Sequence, residues 1–296
     1  MATRIVVAGA TGNLGQRITK ALVGKGVHVV ALARKGASDE KLKSLKSLGA
    51  EVAVVDMTNA AEIAKSCAGA ASVVSAVSGL RDVIVGTQSI LLEAALAAGV
   101  PRFIPSDFST DFTNLTLGEN RNFDLRREFH KRLDVASISS TAIFNGAFGE
   151  LLKYNIPVLN FKEKQVGYWE DADLLMDFTT MDDTAAFTAT AALDPKPPRV
   201  LKIASFQVSP RQLAMFTDET LKTPFELKRL GSLEELREHN KRERAAHPEG
   251  ENQVNSSWQQ SQYIQSMFST HHESLDNDRY PGLRWTKLAD LISPGF

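Results

Sequence analysis

The sequence has few cysteines, no excess of basic residues and no long apolar run, and each of these absences excludes a class of protein. It contains one cysteine, Cys67, so no internal disulfide can form, and a reducing compartment, the cytoplasm, is expected. Its 34 basic and 35 acidic residues give a formal net charge of -1, which argues against nucleic acid as a partner, because a nucleic-acid surface needs a basic excess. We also expect no membrane span and no secretory signal, because the sequence lacks an apolar run of about 18 residues and a charged start followed by an apolar core.

Short β-branched runs alternate with helical patterns through the first half of the chain. The predicted strands are residues 5–8, 27–32, 52–55, 72–77, 102–104 and 141–144. The predicted helices between them are residues 14–23, 39–48, a helix capped by Asn59 and Glu62, 82–98 and 119–136. Continuous apolar strands alternating with helices predict an α/β fold with a doubly wound parallel sheet.

The pattern loosens after about residue 147. Residues 200–204 read as one more strand of the same sheet, and Ser232 with Glu235 forms a capping box that opens a charged helix to about residue 246. Residues 247–260 are polar and predict a loop. We expect residues 1–150 to form one domain and residues 151–296 a smaller substrate-binding lobe, with residues 199–205 returning to the sheet.

The first strand is followed at once by GATGNLG, residues 9–15. A strand, a glycine loop and a helix point backbone N–H groups at a pyrophosphate, and the helix dipole favours its negative charge. Gly9 permits the tight turn, Gly12 lets the backbone approach the phosphates and Gly15 lets the helix pack on the strand. The first domain is therefore predicted to be a Rossmann domain that binds a dinucleotide.

The end of the second strand selects the cofactor. NAD-dependent enzymes place an acidic residue there, whereas this chain has Arg34 and Lys35, and an arginine can pair bidentately with a 2′-phosphate. The sequence predicts NADP(H) as the cofactor in preference to NAD(H).

GATGNLG, the basic pair and RFIPSDF at residues 102–108 together resemble the isoflavone reductase-like and NmrA-like family, an atypical branch of the short-chain dehydrogenases. Asp107 stands where the family commonly has glutamate, and Ser109 where it has glycine. The resemblance is weaker at residues 177–183. It implies further cofactor contacts. With those of the loop and the basic pair, the expected set is Gly9, Thr11, Gly12, Asn13, Leu14, Gly15, Arg34, Lys35, Lys41, Asp56, Met57, Ala76, Val77, Ser78, Pro105, Ser106 and Asn145.

The family's reductases carry a lysine on the helix before the sixth strand, as general acid/base or as a contact of the nicotinamide ribose. Counted back from Asn145, that position falls at about Arg126, and Lys131 is the one lysine of the predicted helix. Five residues turn a helix by about 140°, so Arg126 and Lys131 cannot point at one spot. Either the register shifts and Lys131 faces the nicotinamide as the catalytic residue, or the lysine is missing.

Other chemistry has weaker signals. The pair Tyr-x-x-x-Lys of common short-chain dehydrogenases is absent, since no tyrosine has a lysine four residues later. His271, His272 and Glu273 are interpreted as a surface segment, and no metal site is expected, because neighbouring residues do not face one point on a helix. Five aromatic residues are candidate substrate contacts: Phe108, Phe148, Tyr154, Trp169 and Phe178.

Two functions fit these observations. The first is an NADPH-dependent reductase that transfers hydride to a small aromatic, unsaturated or carbonyl-bearing substrate. The alternative, implied by the NmrA-like side of the family, is a non-catalytic NADP(H) sensor that regulates a protein partner. A homodimer is compatible with both.

Overall fold

The computed structural model describes residues 2–293. The strands are β1 Arg4–Ala8, β2 His28–Arg34, β3 Glu51–Val55, β4 Ser72–Ser75, β5 Arg102–Ile104, β6 Ser139–Ser140, β7 Ala142–Phe144, β8 Ala147–Phe148, β9 Gln165–Trp169, β10 Met176–Thr179, β11 Val200–Lys202, β12 Phe206–Val208 and β13 Glu226–Gly231. The α-helices are α1 Asn13–Gly24, α2 Asp39–Ser47, α3 Ala60–Cys67, α4 Gln88–Ala97, α5 Arg121–Leu133, α6 Met181–Ala191, α7 Pro210–Leu221, α8 Leu233–Ala246, α9 Ser257–Met267 and α10 Leu288–Leu291. Short 3-10 helices lie at Phe112–Asn114, Gly149–Lys153, Pro248–Asn252 and Asn277–Arg279.

Six parallel strands form the main sheet in the order β3-β2-β1-β4-β5-β6. The strand order reverses between β1 and β4, which is where a doubly wound sheet opens a crevice for a ligand. The predicted α/β class and doubly wound sheet are therefore confirmed.

The strands nearest the centre of this sheet are short and apolar because helices cover both faces. β1 has Ile5, Val6 and Val7 fully buried, and β4 has Val73 and Val74 fully buried. Val6 and Val73 belong to a core cluster that also includes Phe103 and Phe129, whose ring centroids are 6.2 Å apart. Burial of each such side chain contributes about 1.5–3 kcal/mol relative to its exposed state.

The molecule divides into two compact units. Unit 1 comprises Met1–Phe108, Phe123–Ile143 and Thr184–Leu201, and it contains the six-stranded sheet. Unit 2 comprises Ser109–Asn122, Phe144–Asp183 and Lys202–Phe296. The core of unit 2 gathers residues of β9, β10 and α7, among them Val166, Phe178 and Leu213.

The helix starts that the sequence marks are confirmed. The Asn59 side chain accepts a hydrogen bond from the backbone N–H of Glu62 at 3.1 Å, which caps α3. Ser232 and Glu235 exchange both bonds of a capping box and open α8. Each such cap contributes about 1 kcal/mol by satisfying N–H groups that have no partner within the helix.

The structure departs from the sequence prediction at two strands and one helix. Residues Val200–Lys202 pair with Ala142–Phe144 in a two-stranded sheet, and the last strand of the six-stranded sheet is Ser139–Ser140. The helix predicted over residues 82–98 begins as a π-helix, Asp82–Thr87, and continues as α4. A π-turn of this kind is frequent near functional sites.

The loop prediction for residues 247–260 is wrong. This segment contains the 3-10 helix Pro248–Asn252 and the start of α9, whose buried positions carry amides rather than apolar side chains. Gln259 donates to Asn120 at 3.0 Å, and Gln262 accepts from the backbone of Arg121 at 3.1 Å. Buried amides that form long-range hydrogen bonds stand where a helix ordinarily has the apolar stripe by which it is recognised.

Arg121 is the residue that holds this segment in place. Its guanidinium donates to the carbonyls of Gly250 at 2.9 Å and Gln253 at 2.8 Å, and it lies 4.7 Å from the ring centroid of Trp258. No signal in the sequence marks Arg121, since a charged residue at the start of a helix is ordinarily solvated.

Two classes of feature are absent from the described residues. No helix within residues 2–293 combines the length and the apolar character needed to cross a bilayer. The same residues contain no group of three histidine, cysteine or acidic side chains placed to hold a metal ion.

Candidate nucleotide-binding site

The glycine loop between β1 and α1 is shaped by contacts that exclude side chains. Gly9 has a φ of +74°, and a Cβ there would lie 2.3 Å from the Ala76 carbonyl oxygen. A Cβ on Gly15 would lie 2.2 Å from the Gly9 carbonyl oxygen. The N–H of Gly12 donates to the same Gly9 oxygen at 2.9 Å. Gly9 and Gly15 are therefore fixed by packing of the loop on itself and on the end of β4.

The beginning of α1 is suited to an anion. Gly12 is its N-cap residue, is exposed, and gives the first turn no side-chain acceptor. A Cβ on Gly12 would approach one atom closely among the described residues, the Gly9 oxygen at 3.2 Å. The Asn13 side chain accepts from Arg17 at 2.9 Å, while Thr11 and Leu14 are half-buried beside the loop. The first backbone N–H groups of the helix and its positive dipole end are thus available to a phosphate, and the residues fit a dinucleotide.

Three cations lie near the end of β2, and they differ in their partners. The Lys35 ammonium is 3.4 Å from a Glu62 oxygen and 3.8 Å from an Asp56 oxygen. Arg34 and Lys41 are exposed, and neither forms an ion pair with any residue that the structure describes. Arg34 is therefore the cation of the basic pair that is available to a ligand.

The end of β3 contributes Asp56 and Met57. Hydrogen bonds from the Thr58 hydroxyl at 2.7 Å and the Thr58 backbone at 2.9 Å, assisted by Lys35, hold the pKa of Asp56 below its ordinary value. Asp56 is thus an anion that turns the chain at this edge and attracts Lys35, and Met57 packs against the core.

Ser106 links the ends of β4 and β5. Its hydroxyl donates to the Val77 carbonyl at 2.6 Å, and its N–H donates to the Gln88 side chain at 2.8 Å. Ser78 is exposed at the same strand end, and Ala76 is half-buried there. Pro105 is buried immediately before Ser106. The predicted contacts on these two strands are therefore brought to one edge of the sheet.

Helix α5 brings Arg126 to this edge. The Arg126 Nε donates to the Ser106 carbonyl at 3.0 Å, and one turn later His130 Nε2 lies 2.6 Å from a carboxylate oxygen of the buried Asp107. Lys131 is exposed. Of the two alternatives that the sequence leaves open, Arg126 is the residue that contacts the segment after β5.

Asn145 of unit 2 has an unusual environment. Its side chain is fully buried, and neither its amide oxygen nor its amide nitrogen has a hydrogen-bond partner among residues 2–293. The backbone of Asn145 is held by Ser109 at 3.0 Å and by the Thr179 hydroxyl at 2.6 Å. A buried amide without hydrogen-bond partners lowers the free energy of unfolding by about 1–3 kcal/mol. Such a group is a candidate to bind a ligand or a water molecule.

The aromatic candidates differ in their burial and in their aromatic neighbours. Phe108 is buried in unit 1. In unit 2, Phe178 is fully buried and stacks on Phe206 at 5.7 Å, and Trp169 packs on Phe268 at 5.5 Å between ring centroids. Phe148 is half-buried, and Tyr154 is 70% exposed.

The interpretation of residues 271–273 as a surface segment is wrong for His272. This side chain is buried in unit 2, with Nδ1 3.7 Å from Asp177, and neither ring nitrogen has a hydrogen-bond partner within the described chain. Asp177 is itself held by Gln207 at 2.7 Å and by the backbone N–H of His272 at 2.8 Å. The pattern of adjacent polar residues gave no sign of this burial.

We expect His272 to make stability depend on pH. Burial lowers the pKa of His272, against the opposing attraction of Asp177, so the folded protein keeps the ring neutral where the unfolded chain binds a proton. The unfolded histidine titrates near about 6.5, so the free energy of unfolding should fall as the pH falls below that value toward the lower folded pKa. Urea denaturation of the wild type and His272→Gln between neutral and acidic pH measures this, with His271→Gln as the control. If the free energy of unfolding fell equally at acidic pH in His272→Gln and in the wild type, the expectation would be contradicted.

The model of the NmrA-like family matches residues 1–238. The chain is similar to Pinoresinol reductase 1 of Arabidopsis thaliana, with 32% identity over 209 residues that cover 66% of this chain and 66% of that protein. It thus spans slightly less than two thirds of the length of that relative.

Solved structures share the fold over almost the whole chain. A crystal structure of isoflavone reductase superposes with a TM-score of 0.82 at 17% identity, covering 99% of both chains. The structure of AtPrR2 with NADP+ and (+)pinoresinol superposes with a TM-score of 0.79 at 22% identity, covering 97% of both chains. The Rossmann-like architecture predicted from the sequence is therefore confirmed.

Proposed function

The chain belongs to the NmrA-like family, and from this premise we propose that it is an NADPH-dependent reductase acting on a small aromatic substrate. The observation that carries the proposal is the loop at residues 9–15, whose glycines leave the backbone at the start of α1 accessible, together with Arg34, which is exposed and has no ion-pair partner among the described residues. Similarity to Pinoresinol reductase 1 supports a reductase, and the structure of AtPrR2 with NADP+ and (+)pinoresinol supports both cofactor and substrate class.

Different residues of unit 1 would hold different parts of the cofactor. The N–H groups at the start of α1 would hold the pyrophosphate, and Arg34 would pair with the 2′-phosphate, with Lys41 as a second exposed cation. Ser78 and Ser106 lie at the strand ends that would take the nicotinamide half. When bound, NADPH supplies the hydride.

We extend the proposal to the remaining predicted contacts. Asn145 is proposed as a ligand contact because its buried amide lacks partners among the described residues. Phe108, Phe148, Tyr154, Trp169 and Phe178 remain proposed substrate contacts. A cytoplasmic location is proposed on the single cysteine. A homodimer is proposed as compatible with either function.

The test is NADPH oxidation by the purified protein with a panel of acceptors that includes pinoresinol, an isoflavone and simple quinones. We expect at least one acceptor to consume NADPH much faster than NADH. Tight NADPH binding with no turnover on any acceptor would contradict the reductase and favour the NADP(H) sensor with a protein partner.

A catalytic Lys131, one of the two alternatives that the sequence leaves open, has its own test. Because Lys131 is exposed while Arg126 contacts Ser106, we expect Lys131→Ala to keep NADPH turnover and NADPH affinity close to those of the wild type. A loss of turnover of about a hundredfold or more, which is the size of a general-acid contribution, would return that role to Lys131.

A further inference from the structure

We propose that a polar cleft within unit 2 is a further ligand site, and that it takes a neutral, polyhydroxylated ligand such as a sugar unit. The cleft has a volume of about 750 Å³, and small-molecule sites occupy about 300–1,000 Å³. Its lining comes from α8, α9, residues 116–119 and the 3-10 helix Pro248–Asn252, all of which belong to unit 2. The inference goes beyond the proposed reductase and does not depend on it.

The lining of the cleft does not suit an aromatic ligand. Ala245 is its one wholly apolar side chain, and no aromatic ring lines it within the described part of the chain. Sites for aromatic molecules are lined predominantly by apolar and aromatic side chains. The cleft therefore does not match the substrate class of the proposed reductase, and a ligand that fits it must be polar over most of its surface.

The two arginines of the cleft are held in place by carboxylates. Arg237 lies 3.0 Å from a Glu119 oxygen and 3.2 Å from a Glu234 oxygen. The Arg244 Nε donates to Glu251 at 2.6 Å, and the Arg244 guanidinium lies 5.1 Å from the ring centroid of Trp258. These side chains form walls in which donors and acceptors alternate.

The other charges of the cleft are paired as well. The Lys241 ammonium lies 4.0 Å from a Glu238 oxygen, and Arg121, behind the lining, lies 3.6 Å from the second oxygen of Glu251. Each carboxylate of the lining thus lies within 4.0 Å of a cation. Because no lining residue offers an unpaired counter-charge, the cleft favours a neutral ligand over an anion or a cation.

A buried acceptor lies at the floor of the cleft. The Gln265 Nε2 donates to a Glu119 oxygen at 2.9 Å, and the Gln265 Oε1 accepts from the Asn240 Nδ2 at 2.8 Å. A carboxylate accepts but cannot donate, so this chain of bonds fixes the orientation of both amides. It leaves the Asn240 Oδ1, in a side chain that is 2% exposed, without a hydrogen-bond partner among residues 2–293.

A donor lies beside this acceptor in the lining. The Gln262 Oε1 accepts from the backbone N–H of Arg121 at 3.1 Å, and because that group can only donate, the amide nitrogen of Gln262 is at the other end. This Nε2 has no hydrogen-bond partner among the described residues. A hydroxyl group both donates and accepts, so a ring that carries several hydroxyls can satisfy the floor and the alternating walls together.

The binding test uses myo-inositol and glucose as probes. The side-chain amide resonances of Asn240, Gln262 and Gln265 are followed by proton–nitrogen correlation NMR of the full-length protein. We expect both probes to shift these resonances saturably, with a Kd on the order of 1 mM. Cyclohexanol, which has the same ring size with one hydroxyl, should leave the resonances unchanged.

Two variants place the probes in the cleft. Ala245→Phe fills the cleft from the exposed face of α8, so we expect it to weaken myo-inositol by about 10-fold or more, while the exposed neighbour Ala246→Phe, outside the lining, should bind as the wild type does. Gln262→Glu keeps the acceptor for the Arg121 N–H and removes the donor. It should weaken binding by about 2- to 10-fold, the size of one net hydrogen bond.

The outcomes decide the inference separately from the reductase. Absence of saturable shifts with either probe, or equal shifts with cyclohexanol, overturns it, because the unpartnered amides are then only hydrated. Tighter binding of gluconate or glucosamine than of glucose shows that an ionic ligand is preferred and also overturns it. Equal affinity in wild type and Ala245→Phe places the probes elsewhere; if Ala245→Phe fails to fold, equal affinity in Gln262→Glu has the same meaning. Absence of NADPH turnover would remove the reductase and leave this site intact.

Discussion

The Gly15→Ala variant is expected to lose NADPH binding by about 100-fold or more and to be less stable than the wild type. The added Cβ would lie 2.2 Å from the Gly9 oxygen and 2.7 Å from the Gly9 carbonyl carbon, which are backbone atoms that cannot rotate away. The loop must move, and with it the N–H groups at the start of α1. Overpacking of this kind typically costs about 1–3 kcal/mol of the free energy of unfolding, and displacement of a preorganised phosphate site removes most of its affinity.

Gly24→Ala is the matched control because Gly24 is also in α1. No atom other than those of its own helix and its chain neighbours lies within 4 Å of the Cβ position, as far as the described residues extend. We expect unchanged NADPH affinity and a gain of up to about 1 kcal/mol in stability, since alanine is the better helix former. Fluorescence titration with NADPH and urea denaturation measure both effects. Wild-type affinity in Gly15→Ala would mean that residues 9–15 are a turn without a ligand.

The Arg34→Glu variant is expected to lose its preference for NADPH over NADH. Arg34 is exposed at the end of β2 and lacks an ion-pair partner among the described residues, so its guanidinium is available to a 2′-phosphate. A charge-assisted bidentate contact contributes about 1.5–3 kcal/mol, and a carboxylate in its place repels the phosphate. We therefore expect NADPH affinity to fall by about 100-fold or more while NADH affinity is unchanged or improved.

Lys35→Gln is the control for Arg34. The Lys35 ammonium is already shared between Glu62 and Asp56, so its removal should change NADPH affinity much less than the change at Arg34. Parallel titrations of both variants with NADPH and NADH give the comparison. Equal losses in the two variants would indicate a diffuse basic surface instead of a single phosphate contact, and a discrimination that survives in Arg34→Glu would place the 2′-phosphate elsewhere.

The fold was predictable from the sequence to the extent that local chemistry decides it. Apolar, β-branched runs such as β1 and β4 predict a sheet that is covered on both faces. The helix caps at Asn59 and Ser232 predict where two helices begin. The start of α9 was missed because its buried residues, including Gln259 and Gln262, are amides whose partners lie far away in the chain. A local pattern contains no information about such partners.

The candidate site likewise has features that the local sequence predicts and features that depend on distant residues. The glycine loop and Arg34 follow from spacing, because they sit at fixed distances from strand ends. Three features could not be predicted from the sequence because they depend on tertiary packing: the contact of Arg126 with Ser106, the Asn145 amide that has no partner among the described residues, and the burial of His272. These features depend on residues that are brought together from separate parts of the chain.

Titration of the wild-type protein with NADPH, NADP+ and NADH shows whether this chain binds NADPH through the start of α1 and Arg34. We expect tight binding of NADPH and NADP+, and binding of NADH weaker by about 10- to 100-fold, the contribution expected of one charged bidentate contact. Equal affinity for NADH and NADPH would contradict the role of Arg34, and absence of binding by all three nucleotides would contradict a dinucleotide site at residues 9–15.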